Sequence, residues 1–326
     1  MARKPQQGLK ILWLMKLLCA ETDEQHPISM QSIIARLAEH GIDCERKSIY
    51  SDLELLEQFG LDIVYRREQP SGYYVASRDF ELPELKLLVD AVQASRFITH
   101  KKSLQLIEKL QGLTSHHEAE LLRRQLHVSG TPKAANEGIY YTVDAIYSAI
   151  AQNRQITFRY LDYAHGGQKH FRRDGARYTV SPYALLWDDE YYYMVGYYEQ
   201  YGGLSNFRVD KMDAVRISDE PRVDGAEQFD AAEYAKRQFS MFSGEVADVR
   251  LKVQRKFIGA AIDRFGDNIM VFPHDDDSVI INAQVEISPI YIAWLFQFGG
   301  GIEVLSPRSV RDKVVKAAEQ MREAYL

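Results

Sequence analysis

Residues 44–60 read CERKSIYSDLELLEQFG, and their spacing decides how the first quarter of the chain folds. Ile49, Leu53, Leu56 and Phe59 recur at three- and four-residue intervals, which places them on one face of a helix. With that face turned inward, Arg46, Lys47, Ser48, Tyr50 and Ser51 in the first turns face outward together. Upstream, Gly41 suits the left-handed C-cap of a second helix, which Ser29 opens and which runs to about His40. Ile33, Ile34, Leu37 and Ala38 give that helix its apolar stripe, and a first helix covers Gly8–Glu21. Downstream, the strand-like runs Leu61–Arg67 and Tyr73–Ala76 flank Glu68-Gln69-Pro70-Ser71-Gly72, which reads as a β-hairpin.

Two helices joined by a tight glycine turn can place the second in the major groove of DNA, and winged-helix domains share this order of elements. Arginine and lysine donate to guanine edges or hold phosphates, while serine and tyrosine supply shorter polar contacts. Arg46, Lys47, Ser48, Tyr50 and Ser51 are therefore candidate DNA contacts, with Arg66 and Arg67 of the hairpin reaching phosphates or an adjacent groove. Glu45, Asp52, Glu54 and Glu57 on the same helix narrow the electrostatic footprint. The net charge of −6 agrees: nucleic acid must be met by local basic patches.

Helical periodicity returns from Leu82 to about His127, with Leu85, Leu88, Val89, Val92 and Phe97 as one stripe. Leu104, Ile107, Leu110 and Leu113 continue it, as do Leu121, Leu122 and Leu126. The breaker-rich segment Ser129–Gly138 is the preferred boundary. Beyond it come a helix (Thr142–Asn153) and five short strands: Gln155–Tyr163, Arg177–Leu186, Tyr191–Tyr198, Leu204–Val209 and Ala214–Ser218. Such strands, β-branched or aromatic and divided by turn residues, suggest a small barrel or curled sheet. A connector with a short helix near Ala231–Gln238 leads to a last segment of alternating strands and helices, a small α+β sandwich. The expected division is 1–78, 79–138, 139–220, 221–245 and 246–326.

The barrel segment holds most of the chemistry. Arg154, Arg159, Lys169, Arg172, Arg173, Arg177, Arg208 and Lys211 lie among Tyr160, Tyr163, Tyr178, Tyr183, Tyr193 and Phe207. Cations interleaved with aromatics suit a ligand bearing phosphates and bases. The same residues, at strand period two, also fit a core and its structural ion pairs.

Other functions find little support. Gly299–Gly301 lacks the lysine and hydroxyl residue of a phosphate-binding loop and reads as a helix-to-strand turn. His274-Asp275-Asp276-Asp277 has no second ligand set at useful spacing and reads as a solvated hairpin tip. No hydrolase or zincin motif occurs, so no enzyme, cofactor or metal is expected. Two cysteines exclude a disulfide framework and fit a reduced cytoplasm. Lys10 and Lys16 break the first apolar run, making it an amphipathic helix and not a signal peptide, and no membrane span is expected.

With these residues in hand, the chain resembles the transcriptional regulators that carry a WYL domain. Residues 44–60 are similar to the recognition helix of DeoR-like winged helices. The middle strands carry the more specific likeness in VSPYALLW (180–187), YYMVGY (192–197) and NFRVDKM (206–212). Val249–Val253, Phe296–Gly299 and Glu303–Pro307 echo the C-terminal extension called WCX. The family's eponymous Trp-Tyr-Leu falls on Tyr192, Tyr193 and Met194. The resemblance implies a multidomain α+β chain: winged helix-turn-helix, helical linker, Sm-like β-barrel and WCX sandwich. The expected mechanism is a homodimer on a pseudo-palindromic double-stranded operator, met through two copies of the helix at 44–60 with half-sites about one turn or 34 Å apart. Its barrel would sense a nucleotide or single-stranded nucleic acid through Arg208, supported by Asp210, and Tyr183 and Tyr193, with Arg159, Arg172 and Arg173 as further candidates. The rival expectations are a nucleic-acid-processing enzyme targeted by the winged helix and an adaptor of a phage-defence or repair system.

Overall fold

The computed structural model describes residues 5–124, 133–134, 137–223, 225 and 228–326. Leu126 and most of the Ser129–Gly138 boundary lie outside the described residues. The chain divides into two compact units, Met1–Glu137 and Gly138–Leu326.

In the first unit, α1 (Pro5–Glu21), α2 (Met30–Glu39) and α3 (Arg46–Phe59) enclose a core of Leu14, Leu18, Ile33, Leu37, Ile49, Leu53 and Leu56. The Ser29 hydroxyl accepts the Ser32 N–H and opens α2. Gly60, at φ 111°, ends α3 in a conformation that side chains resist. Phe59 does not join the core, contrary to its spacing, and is 79% exposed. At the last turn the chain swings away through Gly60, and the Leu61 N–H returns to the Leu56 carbonyl.

Strands β1 (Ile63–Arg66) and β2 (Gly72–Val75) form the antiparallel hairpin, and Ile28 adds a third edge by exchanging backbone bonds with Tyr73. That close approach explains Gly72: a Cβ there would lie 2.4 Å from the Ile28 carbonyl oxygen.

Helices α4 (Leu82–Ala94), α5 (His100–Gln111) and α6 (His116–Arg124) complete the unit. Their apolar stripes are narrower than expected. Leu85, Val89, Phe97, Ile107 and Leu122 are buried, whereas Leu88, Leu104, Leu113 and Leu121 are exposed. Short helices packed on few neighbours need only one i, i+4 row each.

A polar node ties α6 to the helical head. The buried Asp23 carboxylate accepts the Ser115 hydroxyl at 2.5 Å, the His26 ring nitrogen at 2.7 Å, and the Gln25 and His26 backbone N–H groups. The His26 ring stacks on His117 at 3.7 Å. Burial raises the carboxyl's pKa, but the bonds from Ser115 and His26 outweigh it and leave it below the ordinary range. A depressed carboxyl stabilises fully above its unfolded pKa, and this is lost as pH falls through the folded one. Asp23→Ala should cost about 1–3 kcal/mol at neutral pH and flatten the acid limb of stability, as read by urea unfolding at several pH values. An unchanged acid limb would assign that limb to other carboxylates.

In the second unit, α7 (Ile139–Ala151) precedes β3 (Arg154–Tyr163), β4 (Lys169–Phe171), β5 (Tyr178–Asp188), β6 (Tyr191–Tyr198), β7 (Gly203–Arg208) and β8 (Met212–Pro221). The sheet order is β4-β3-β5-β6-β7, with β8 on the other side of β3. Strand β3 serves three neighbours: its second half pairs β4, its first half pairs β5, and β8 runs along most of its length. Sharing one strand this way curls the sheet into a half-barrel. Phe158, Tyr160, Tyr178, Tyr198 and Phe207 fill it, Phe158 meeting Phe207 at 5.2 Å and Tyr178 at 5.5 Å. Tyr160, Tyr178 and Phe207, three of the aromatics interleaved with cations in the sequence, are therefore core. The short strand β4 has no counterpart in the sequence reading.

Helix α8 (Ala231–Arg237), opened by the Asp230 carboxylate, connects to β9 (Glu245–Gln254), α9 (Ile258–Phe265), β10 (Val271–Asp275), β11 (Ser278–Ile287), α10 (Pro289–Phe296), β12 (Ile302–Ser306) and α11 (Arg308–Ala324). The strands form one antiparallel sheet, β10-β11-β9-β12. Val249, Leu251, Val253, Ile281 and Val285 pack against Ala261, Tyr291, Leu295 and Val310 of the helices, a two-layer α+β sandwich. The architecture is thus mixed α+β, as the resemblance implies.

Candidate nucleic-acid and effector sites

At the start of α3, Arg46, Lys47, Tyr50 and Ser51 are exposed. Arg46 donates to the Tyr50 hydroxyl at 3.0 Å and lies over its ring at 5.6 Å. Burial and a hydrogen bond with Tyr50 push the Tyr73 phenol up to about 12, so the contact runs from helix to hairpin. Two residues depart from the simple outward face. Asp52 points into the core, where it pairs with Lys10 at 2.7 Å with both side chains nearly sealed from solvent. Ser48 is half-buried and accepts the same ammonium. Asp52 therefore adds no negative charge to the exposed face, and Lys10 is a core partner instead of a surface cation.

On the hairpin, Arg66 is partly buried and donates to the Glu24 carbonyl at 2.9 Å, while Arg67 is exposed near the tip.

The half-barrel places the effector candidates in two groups. Arg172 and Arg173 occupy one turn between β4 and β5. Arg172 pairs with Asp162 at 2.6 Å and lies over Tyr160 at 5.4 Å; Arg173 donates to the Tyr198 hydroxyl and lies over Tyr178 at 5.2 Å. Arg159 pairs with Asp213 and lies over Phe171 at 4.2 Å. Arg172 and Arg173 thus border the aromatic filling of the barrel, whereas Arg159, between the buried Phe158 and Tyr160 on β3, faces the other side of the sheet.

The second group sits on the outer face of β6 and β7, where Tyr193 pairs in register with Arg208. Arg208 makes a forked pair with Asp210 at 3.1 and 2.8 Å and lies 3.7 Å over the Tyr191 ring. Burial opposes its charge, but Asp210 outweighs burial and raises its pKa further. Tyr193 is 8% exposed, and burial pushes its phenol up to about 12. Tyr160 touches both groups, its ring under Arg172 and its hydroxyl accepting the Arg208 backbone N–H at 3.0 Å.

Tyr183 lies elsewhere. Its hydroxyl donates to the Val223 carbonyl at 3.3 Å and its ring packs 5.8 Å from Phe229 of the connector. Sequence reasoning missed Tyr191, which carries the Arg208 guanidinium, and Asn206, which holds the connector. Strand parity was the available signal: Asn206 is two residues before Arg208 and so shares its face. Asp276 and Asp277 form the β10–β11 turn, with His274 and Asp275 at the end of β10, and Asp275 pairs with Lys252 at 3.2 Å.

A WYL domain matches residues 141–217 and a WCX domain residues 245–322. No curated protein matches the chain. Among solved structures, proteasome accessory factor B/C (PafBC) of Arthrobacter aurescens is similar at 20% identity over 94% of this chain and 47% of that one, with a TM-score of 0.30. A CRISPR Cas-related protein is similar at 13% identity over 90% of this chain and 77% of that one, with a TM-score of 0.38. The chain thus spans about half the length of the first of these structures. Half-barrel and sandwich coincide with the two matched stretches, so the chain carries a WYL domain followed by a WCX domain.

Proposed function

We propose that this protein is a DNA-binding transcriptional regulator whose WYL half-barrel senses a nucleotide or single-stranded nucleic acid. The observation that carries the reading is the exposed row Arg46, Lys47, Tyr50 and Ser51 at the start of α3, beside a hairpin with Arg67 near its tip. A helix end of this composition suits a major groove, and the neighbouring strands suit the backbone. A homodimer would present two such ends to a pseudo-palindromic operator. We read the chain as a regulator and not an enzyme; the candidate cations of the half-barrel are engaged with carboxylates and rings. Among the described residues no helix is long and apolar enough to cross a membrane.

Effector control requires that the ligand bind two states of the protein unequally. Arg208 is the proposed ligand contact, since a phosphate can replace Asp210 in its fork and a base can replace the guanidinium on Tyr191. Selection from random duplex DNA at fixed salt, repeated with nucleotides and with single strands, tests the whole proposal. A shared half-site motif is expected, with occupancy that changes when the effector is added. Arg208→Ala should abolish that change and leave basal duplex binding intact. A folded Arg208→Ala protein with a normal response would remove the residue from the site, and absence of any enriched sequence would sink the regulator reading.

A further inference from the structure

The outer face of β6 and β7 is covered by the chain between α8 and β9. Phe239 and Phe242 bridge each other across a tight turn of Ser240 and Met241. Met241 inserts against Tyr193, Val195 and Tyr234, and is itself 5% exposed. Asn206 pins the turn: its amide nitrogen donates to the Met241 carbonyl at 2.8 Å and to Gln238 and Ser243 at 3.3 Å, and its oxygen accepts the Tyr234 hydroxyl at 3.0 Å. Two of the side chains proposed to meet an effector, Tyr183 and Tyr193, thus lie against connector residues.

This cover is held at a local cost. Ser240 and Met241 have φ of 48° and 55°, in the left-handed region that residues with a Cβ resist. The turn they face, Asp189-Glu190 between β5 and β6, has φ of 45° and 66°. Two-residue hairpins of this form favour Asn-Gly or Asp-Gly, and neither turn contains glycine. The two turns are joined by a bond from the Ser240 hydroxyl to the Asp189 carboxylate. Around them, Asp188 Oδ2, Gln238 Nε2 and Arg264 Nε are buried without a hydrogen-bond partner. Arg264, from α9 of the WCX domain, donates to the Gln238 carbonyl and lies 3.8 Å over the Phe239 ring. Strained turns and orphaned polar atoms favour local opening over global unfolding.

We propose that residues 239–243 are an autoinhibitory clasp: closed, they occupy the outer face beside Arg208; lifted, they free that face for ligand and release the hold of Arg264 on the connector. The clasp rests on the effector reading for its biological use, but its opening is a property of this chain alone. Ligand uptake at Arg208 and clasp opening are then reciprocal, since whatever binds the open face pulls the equilibrium toward it.

Hydrogen exchange of the full-length protein, without ligand, reads the clasp directly. The amides of 239–243 should exchange at least about tenfold faster than those of β9. Asn206→Ala should widen the gap while β9 and β11 stay protected, and the milder Ser240→Ala should act in the same direction. Protection of 239–243 equal to that of β9 in all three proteins would overturn the clasp.

A second arm uses fluorescein-labelled single-stranded DNA of mixed sequence. Asn206→Ala should bind it about tenfold more tightly than the native chain, because the opening cost is removed. Binding that is equal or weaker in Asn206→Ala and Ser240→Ala would overturn the autoinhibitory role. If neither the native chain nor the variants bind, yet 239–243 opens in exchange, the failure belongs to the effector reading and the opening stands.

Discussion

Arg46→Ala combined with Lys47→Ala is expected to lower affinity for an operator duplex by about a hundredfold or more, with the unfolding midpoint unchanged. Each side chain that reaches a base edge or phosphate contributes about 1–3 kcal/mol, and two such losses compound. The fold should not register the change. Arg46 and Lys47 are exposed, and the bond from Arg46 to the Tyr50 hydroxyl is local to one helix turn. Fluorescence anisotropy over a salt series separates the roles. If both residues hold phosphates, the slope of log affinity against log salt should shrink by about 2. If Arg46 reads a base, its single variant should lose discrimination between operator and scrambled duplex while Lys47→Ala weakens both alike. A double variant that binds as tightly as the native chain would show that α3 does not enter the groove.

The elements that set up this test were legible because their signals are local. Ser29 and Gly41 bracket α2 through capping chemistry that needs no distant partner, and Gly60 ends α3 the same way. The half-barrel was legible in the alternation of Ile156, Phe158 and Tyr160, which are buried where their period of two places them. What escaped was set by contacts remote in sequence. Nothing near Asp52 reveals that Lys10, on another helix, neutralises it. A bare count of acidic residues therefore overstated the negative charge on α3. Phe59 kept helical spacing to the last turn but lost its core place because the chain leaves through Gly60. On the barrel, composition identified cations among aromatics, yet could not pair Arg159 with Asp213 or set Arg208 on Tyr191. Those pairings follow from strand register, which only the assembled sheet defines. The connector turn was beyond reach for the same reason, since Asn206 holds it from more than thirty residues away.

Lys10→Met is expected to be the most damaging single change in the first unit, costing about 3–5 kcal/mol. The substitution keeps the apolar stem of the side chain but removes the ammonium that both Asp52 and Ser48 face. Asp52 would then be a buried charge without a partner, a loss that can take a large share of a domain's net stability of about 5–15 kcal/mol. Hydrogen exchange over α1 and α3 in rising urea reads the effect, because it isolates the helical head within the full chain. The double variant Lys10→Met with Asp52→Leu should recover most of the loss, since two apolar residues of similar volume can replace a buried ion pair at little cost. Its DNA affinity then decides what the pair is for. Recovered stability with native affinity would make the pair a structural device and Ser48 dispensable at the groove. Recovered stability with weakened binding would mean that Lys10 sets the Ser48 hydroxyl, and with it the pitch of the exposed face of α3, for the DNA. A Lys10→Met protein as stable as the native chain would show that Asp52 finds solvent or another donor, and the buried pair would lose its role in the head.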